Sequence, residues 1–193
     1  MRTIKLFAAA LVIASVALSP IAFAGKNAQA GANRPTTPAT ALAPLTEDEI
    51  STLLWMREEE KVARDVYIAM NEKWNAKIFA RIAASEQKHC DAIAKKLARY
   101  GIEDPTPTEI GEFSVAELQA MYDTLMVQGN VSYLEALKVG VAIEEEDIED
   151  LEAAIEETDA VPLEITYVHL LNGSENHLAS FITVLEREGF VYE

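Results

Sequence analysis

Residues 76–100 impose a condition that few folds can meet. The run reads as one helix with an apolar stripe of Phe79, Ile82, Ile93 and Leu97, and that spacing puts Glu86 and His89 on the same face. Two ionisable groups therefore stand where a helix should present Leu or Ile to a core. A carboxylate taken out of water without compensation costs several kcal/mol, so this face requires a polar or cationic partner.

Three other segments carry the same kind of intrusion. Thr46 and Glu49 form a capping box that opens a helix running to about Trp74, with the stripe Leu53, Met56, Glu60, Ala63, Tyr67, Met70 and Trp74. Glu60 is its one charged member. A helix over about 131–157 has the stripe Leu134, Leu137, Val141, Glu144, Ile148, Leu151 and Ile155, again with a single carboxylate in the middle. After a break at Asp159–Pro162, with Pro162 suited to a first helical turn, a last helix to about Glu188 carries Leu163, Tyr167, Leu170, Ser174, His177, Phe181 and Val184. Gly101 and Gly189 are expected to stop the second and last helices. Between the second and third long helices lies a connection with Pro105 and Pro107. It leads to a capping box of Ser114 and Glu117 and a short helix over about 115–128, stopped by Gly129. No segment reads as a strand.

Four long helices with continuous seams predict an all-α four-helix bundle with a short extra helix in the long connection. The short links make the first pair and the second pair antiparallel hairpins. The halves echo each other, with a Glu in one helix and a His in the next: Glu60 with His89, Glu144 with His177.

The bundle is expected to occupy residues 45–190. Ahead of it, Arg2 and Lys5 precede an apolar run to Ala24 that ends in Ala22-Phe23-Ala24, the form of a cleaved export leader over 1–24. A retained membrane anchor is the alternative. No Cys follows the run, which argues against a lipid anchor. Residues 25–44, rich in Ala, Thr, Asn and Pro, read as a flexible linker. The chain is expected to work outside the cytoplasm, in a periplasm or medium, with no stable membrane anchor after cleavage. With 32 acidic against 16 basic residues and a net charge of −16, it is a poor partner for nucleic acid, and its field concentrates cations. Its single cysteine, Cys90, excludes an intramolecular disulfide and reads as a small core filler.

Glu60, Glu86, His89, Glu144, Ser174 and His177 all lie near the middle of their own helices. Mid-helix positions meet at one level in antiparallel packing, so the core should contain a single polar layer. Carboxylates crowded there repel one another unless a cation sits among them. Oxygen and imidazole nitrogen together are the ligand set of iron, manganese or zinc. The alternative is a metal-free hydrogen-bonded layer that fixes helix register.

Glu60-Lys-Val-Ala-Arg-Asp-Val-Tyr67 followed by Glu86-x-x-His89 resembles the first hairpin of rubrerythrin and other ferritin-like di-iron proteins. The blocks Glu58–Tyr67, Ser85–His89, Ile143–Ile148 and Gly173–His177 together resemble an uncharacterised, often exported family of that superfamily. The resemblance covers about residues 45–189. It implies the ferritin-like fold and a mono- or dinuclear metal centre at Glu60, Glu86, His89, Glu144 and His177. The implied chemistry is with oxygen or peroxide, or the oxidation of ferrous iron. Iron is the first candidate metal, with manganese and zinc as alternatives. A metal-sequestering protein without turnover and a metal-free helical interaction module are the competing readings.

One departure stands out. Di-iron relatives carry Glu-x-x-His on the fourth helix, and here Ser174 takes the Glu position. One residue turns Glu175 about 100° off the seam, so it is no substitute. The expectation is one ion bound tightly and a second weakly. Asp147, one turn beyond Glu144, is either an added carboxylate that ligates or orients a His, or a solvated member of the acidic run 144–150. Tyr67 either hydrogen-bonds the centre or points its hydroxyl to a bundle end. Arg64 and Asp65 read as an ion pair, and His169 as surface. There is no Cys-x-x-Cys pair for an electron-transfer domain, so redox turnover would need an external electron donor. The sequence leaves open whether the chain is a homodimer.

Overall fold

The computed structural model describes residues 42–192. The expected leader and nearly all of the expected linker lie outside the described residues. The described chain forms five helices: α1 (Glu47–Trp74), α2 (Lys77–Tyr100), α3 (Ala116–Gly129), α4 (Tyr133–Glu157) and α5 (Val161–Arg187). No strand occurs among the described residues, and no helix there is long and apolar enough to cross a membrane.

Local chemistry sets the helix ends. Thr46 caps α1 as a reciprocal box, its N–H donating to Glu49 at 2.8 Å while Glu49 N–H donates to the Thr46 hydroxyl at 3.2 Å. Asn75 closes α1 in the left-handed conformation at φ 49°, and Gly101 closes α2 at φ 71°. Ser132 caps α4 by accepting from Glu135 N–H at 3.1 Å. Glu49 also accepts from Thr158 and from Ala160 N–H, which pins the α4–α5 link to the start of α1.

The short helix starts differently from the sequence expectation. Its N-cap is Val115, which makes no side-chain cap. Glu58 of α1 takes the N–H groups of Ser114 and Val115 instead, at 2.9 and 3.0 Å, and also the Ser114 hydroxyl. A carboxylate from a neighbouring helix serves both exposed donors at once, which Glu117 inside the same turn does not. Lys61 continues the strap: its Nζ donates to Asp65 at 2.6 Å and to the carbonyls of Glu109 and Glu112 at 2.7 and 3.0 Å.

The four long helices form a square. α1 packs on α2 and α4, α5 packs on α4 and α2, and α3 lies against α1 and α4. The hairpins α1–α2 and α4–α5 follow from their short links, and the α1–α4 pair is antiparallel as well. Trp55 Nε1 donates to Asp150 at 3.0 Å, and Tyr67 Oη donates to Glu144 at 2.7 Å, so rising numbers on α1 meet falling numbers on α4.

The apolar interior is two clusters. One gathers Val66, Tyr67, Phe79, Val139 and Phe181 among others. The other gathers Leu53, Met56, Ile93, Leu151 and Leu170. On every long helix the gap between them falls at the interrupting residues: Glu60, then Glu86 and His89, then Glu144 and Asp147, then Ser174 and His177. All seven are buried.

Candidate metal centre

Each corner of the square contributes to this layer: Glu60 from α1, Glu86 and His89 from α2, Glu144 from α4, His177 from α5. Glu86 sits between the two imidazoles. Its Oε2 is 2.8 Å from His89 Nδ1, and its Oε1 is 2.7 Å from His177 Nδ1. Glu60 Oε2 reaches His89 Nδ1 at 3.1 Å, and Glu144 Oε2 lies 3.5 Å from His177 Nδ1. The two rings face each other with centroids 5.5 Å apart and planes inclined by 28°. Two groups therefore have the geometry to hold a metal ion, Glu60 with Glu86 and His89, and Glu86 with Glu144 and His177. Within each group the ligand atoms lie within 4.8 Å of one another. Glu86 belongs to both.

A close approach is not always a bond. His177 Nδ1 and Glu86 Oε1 stand 2.7 Å apart, yet neither forms a hydrogen bond, and Glu60 Oε1 is also buried without a partner. The N–H vector and the oxygen are misaligned, which is how two ligands lie when they converge on a common third point. Buried polar atoms left this way cost about 1–3 kcal/mol each, more when charged. An oxygen and nitrogen donor set that is buried, converging and partly unsatisfied fits a divalent cation.

The electrostatics of the ion-free layer agree. Burial alone would raise Glu86, but His177 and His89 beside it outweigh that and hold its pKa down at about 2. Burial would lower both imidazoles, and their carboxylate neighbours reverse this. Glu60 and Glu86 lift His89 to about 11, while Glu144 and Glu86 lift His177 to about 9. Burial raises Glu60 well above the usual carboxylate range, with Asp147 adding repulsion, and raises Glu144 to about 8. Two imidazolium charges thus occupy the layer when no metal does. Protons stand in for cations.

The neighbouring residues resolve the alternatives the sequence left. Tyr67 points into the layer, donating to Glu144 at 2.7 Å, and not toward a bundle end. Asp147 is buried rather than solvated, and Ser174 donates its hydroxyl to Asp147 Oδ2 at 2.5 Å. Burial pushes Asp147 up to about 7. Cys90 is buried, and burial first, then Glu60, raises its thiol to about 12. Arg64 pairs with Asp65 at 2.7 Å, and His169 is exposed. Gly173 makes room for the centre: a Cβ there would meet His89 Nε2 at 2.5 Å and Cε1 at 2.7 Å. The α5 backbone at Gly173 thus backs the His89 ring.

Sequence reasoning missed Glu59. It is 5% exposed, and among the described residues its buried Oε2 has no hydrogen-bond partner. A seam of steps of three and four admits only one member of Glu58-Glu59-Glu60. α1 however is covered on several sides, by α2, α4, α3 and the connection before α3, so all three are buried. No local signal in the sequence marks Glu59, because its burial comes from the helices packed around α1.

Fold and layer together define an all-helical bundle protein with carboxylate and imidazole groups suited to metal. The chain belongs to the family described as "Uncharacterized protein domain (DUF2202)", which matches residues 49–193. It is similar to uncharacterized protein MJ0754 of Methanocaldococcus jannaschii, 43% identical over 150 residues that cover 77% of this chain and 81% of the relative. The crystal structure of hypothetical protein MJ0754 from Methanococcus jannaschii DSM 2661 matches with a TM-score of 0.76 and 41% identity, over 83% of this chain and 89% of that one.

Proposed function

We propose that this is an exported, ferritin-like metal-binding protein whose centre takes two divalent cations, iron first among them. Glu60 and His89 serve one ion, Glu144 and His177 the other, and Glu86 is shared. The observation that carries the reading is the position of Glu86, whose two oxygens face two different imidazole nitrogens. Iron bound there would supply redox chemistry toward dioxygen, peroxide or ferrous iron. The protein's own part is to exclude water with the two apolar clusters, to hold each imidazole by its neighbours, and to give up the imidazolium protons as ions enter. Electrons would come from another protein.

The test is metal uptake by protein refolded without metal and offered ferrous, manganous and zinc ions separately under anaerobic conditions. The expected result is two ions per chain for iron. Glu144→Ala and His89→Ala should each weaken binding by roughly tenfold or more, whereas the exposed Glu175→Ala should not. No uptake of any ion means that the layer only fixes helix register. Oxidation of the bound iron by dioxygen or peroxide separates an oxidoreductase from a protein that only sequesters metal.

A further inference from the structure

The two faces of α2 differ in kind. Its inner face carries Phe79, Ile82, Glu86, His89, Ile93 and Leu97, all buried. On its outer face Lys77, Arg81, Lys88, Lys95 and Arg99 follow in steps of four, seven, seven and four residues, which aligns them in one stripe about 33 Å long. All five are exposed, and Lys96 beside them is half-buried. Half of the Lys and Arg among the described residues lie on this helix, in a sequence with 32 acidic and 16 basic residues. Arg57, Lys61, Arg64 and Lys138 are each paired with an acid. The six on α2 make no ion pair or side-chain hydrogen bond with any described residue. Asp91, the exposed acid of the helix, accepts from Gln87 at 2.8 Å instead.

We propose that this stripe is the docking face for a small acidic electron-carrier protein, which it seats beside His89. The inference rests on the redox reading of the centre and names the class of donor that reading needs. His89 belongs to the same helix, and Ala92 and Lys96, three and seven residues on, continue its face along α2. The side chains of His89 and His177 are each 11% exposed, whereas those of Glu60, Glu86 and Glu144 are 0, 1 and 2% exposed. The imidazole edges are therefore where the centre comes nearest to solvent, and each electron given up there by the carrier converts one ferric ion to ferrous. Charge selects the partner. No large apolar residue is exposed on α2, so the stripe attracts by charge and does not insert into a bilayer. An extended anionic membrane would also meet the field of a chain with net charge −16, while a carrier's local acidic patch need meet only the stripe. A second copy offers acids on α4, but α2 and α4 stand at opposite corners of the square, so such contacts run head to tail and do not close.

The experiment titrates the metal-free full chain with a dye-labelled acidic flavodoxin, read by fluorescence anisotropy at low and high salt. The natural chain is expected to bind, and to bind less as salt rises. Lys88→Glu with Lys95→Glu should weaken binding roughly tenfold or more, and Lys88→Arg with Lys95→Arg should restore it. Lys138→Glu with Arg187→Glu, which changes the net charge equally away from α2, should leave binding as it was. Equal binding by all variants overturns the proposal, and so does equal weakening by both Glu pairs, since net charge alone would then act. α2-dependent binding of phosphatidylglycerol vesicles without binding of flavodoxin overturns it in favour of a membrane, and α2-dependent self-association in favour of a second copy. In a second arm, the iron-loaded chain is reduced by flavodoxin and by dithionite, and Lys88→Glu with Lys95→Glu should slow only the first. A carrier that docks without this difference overturns the donor role. A chain that takes up no iron fails the metal reading, while the anisotropy arm still decides the docking face.

Discussion

Ser174 donates its hydroxyl to Asp147 at 2.5 Å, joining α5 to α4 inside the polar layer. At this position on α5 the chain carries a hydroxyl donor that holds a carboxylate from the adjacent helix α4. The layer thus keeps one shared carboxylate, Glu86, and lacks a second on α5. The two ions should bind with unequal affinity, and Ser174→Glu should tighten the weaker step by roughly tenfold by placing a carboxylate beside His177. Ser174→Ala should instead leave Asp147 wholly unpartnered and lower the stability of the metal-free fold by about 1–3 kcal/mol. Anaerobic ferrous titration and denaturant unfolding measure the two effects. Matched affinities in the natural protein would make Ser174 no deficit at all.

The pH dependence of the metal-free protein follows from the same layer. His177 is raised from 6.5 to about 9 and Glu144 from 4.5 to about 8. Asp147 is raised from 3.8 to about 7. A group that binds its proton more tightly when folded stabilises the fold below its unfolded pKa and loses that contribution as pH rises through its folded pKa. All three therefore weaken the ion-free fold between about pH 4 and 9. Glu86 acts oppositely, and its contribution disappears as pH falls from 4.5 toward about 2. Unfolding in the presence of a chelator should show maximal stability near pH 4 to 5 and a decline toward pH 9. With ions bound the high-pH decline should vanish, because metal takes the place of the imidazolium protons. A chelated protein equally stable at pH 5 and pH 9 would contradict the imidazolium layer.

Gly173 offers a test of how the centre is built. A methyl at this position would lie 2.5 Å from His89 Nε2, so Gly173→Ala must turn the ring or push α5 away. Overpacking of this kind costs about 1–3 kcal/mol. The ion held by Glu60 and His89 should weaken more than the one held by Glu144 and His177, read as a loss in one titration step only. Equal weakening of both steps would mean that α5 moves as a body.

The helices and the layer were legible because periodicity and spacing carry them. Each long helix states its buried face in steps of three and four, and a single charged residue in that stripe is visible at once. Helix ends at Thr46, Gly101 and Pro162 were legible for the same reason, since cap chemistry is local. What stayed hidden depends on neighbours that are distant in sequence. Glu58, Lys61 and Asp65 look like the solvated side of α1 until the connection before α3 folds over them. Asp147 reads equally as surface or interior until Ser174 is seen to meet it. Glu59 has no local signature, because its burial comes from the packing of three other helices around α1.

Glu58 carries the last prediction. Its carboxylate accepts from two backbone N–H groups and a hydroxyl at the start of α3, and it is 1% exposed. Glu58→Ala removes every acceptor for those donors at once, and hydrogen bonds to a charged group contribute about 1.5–3 kcal/mol. The loss should appear first in α3 and the preceding connection, which pack on α1 through this strap and not through the central polar layer. Hydrogen exchange should accelerate at residues 109–120 while α2 and α5 stay protected, and ion stoichiometry should not change. Glu58→Gln keeps one acceptor oxygen and should recover part of the protection. If Glu58→Ala exchanges like the natural protein across 109–120, the α3 start is held by something other than this carboxylate.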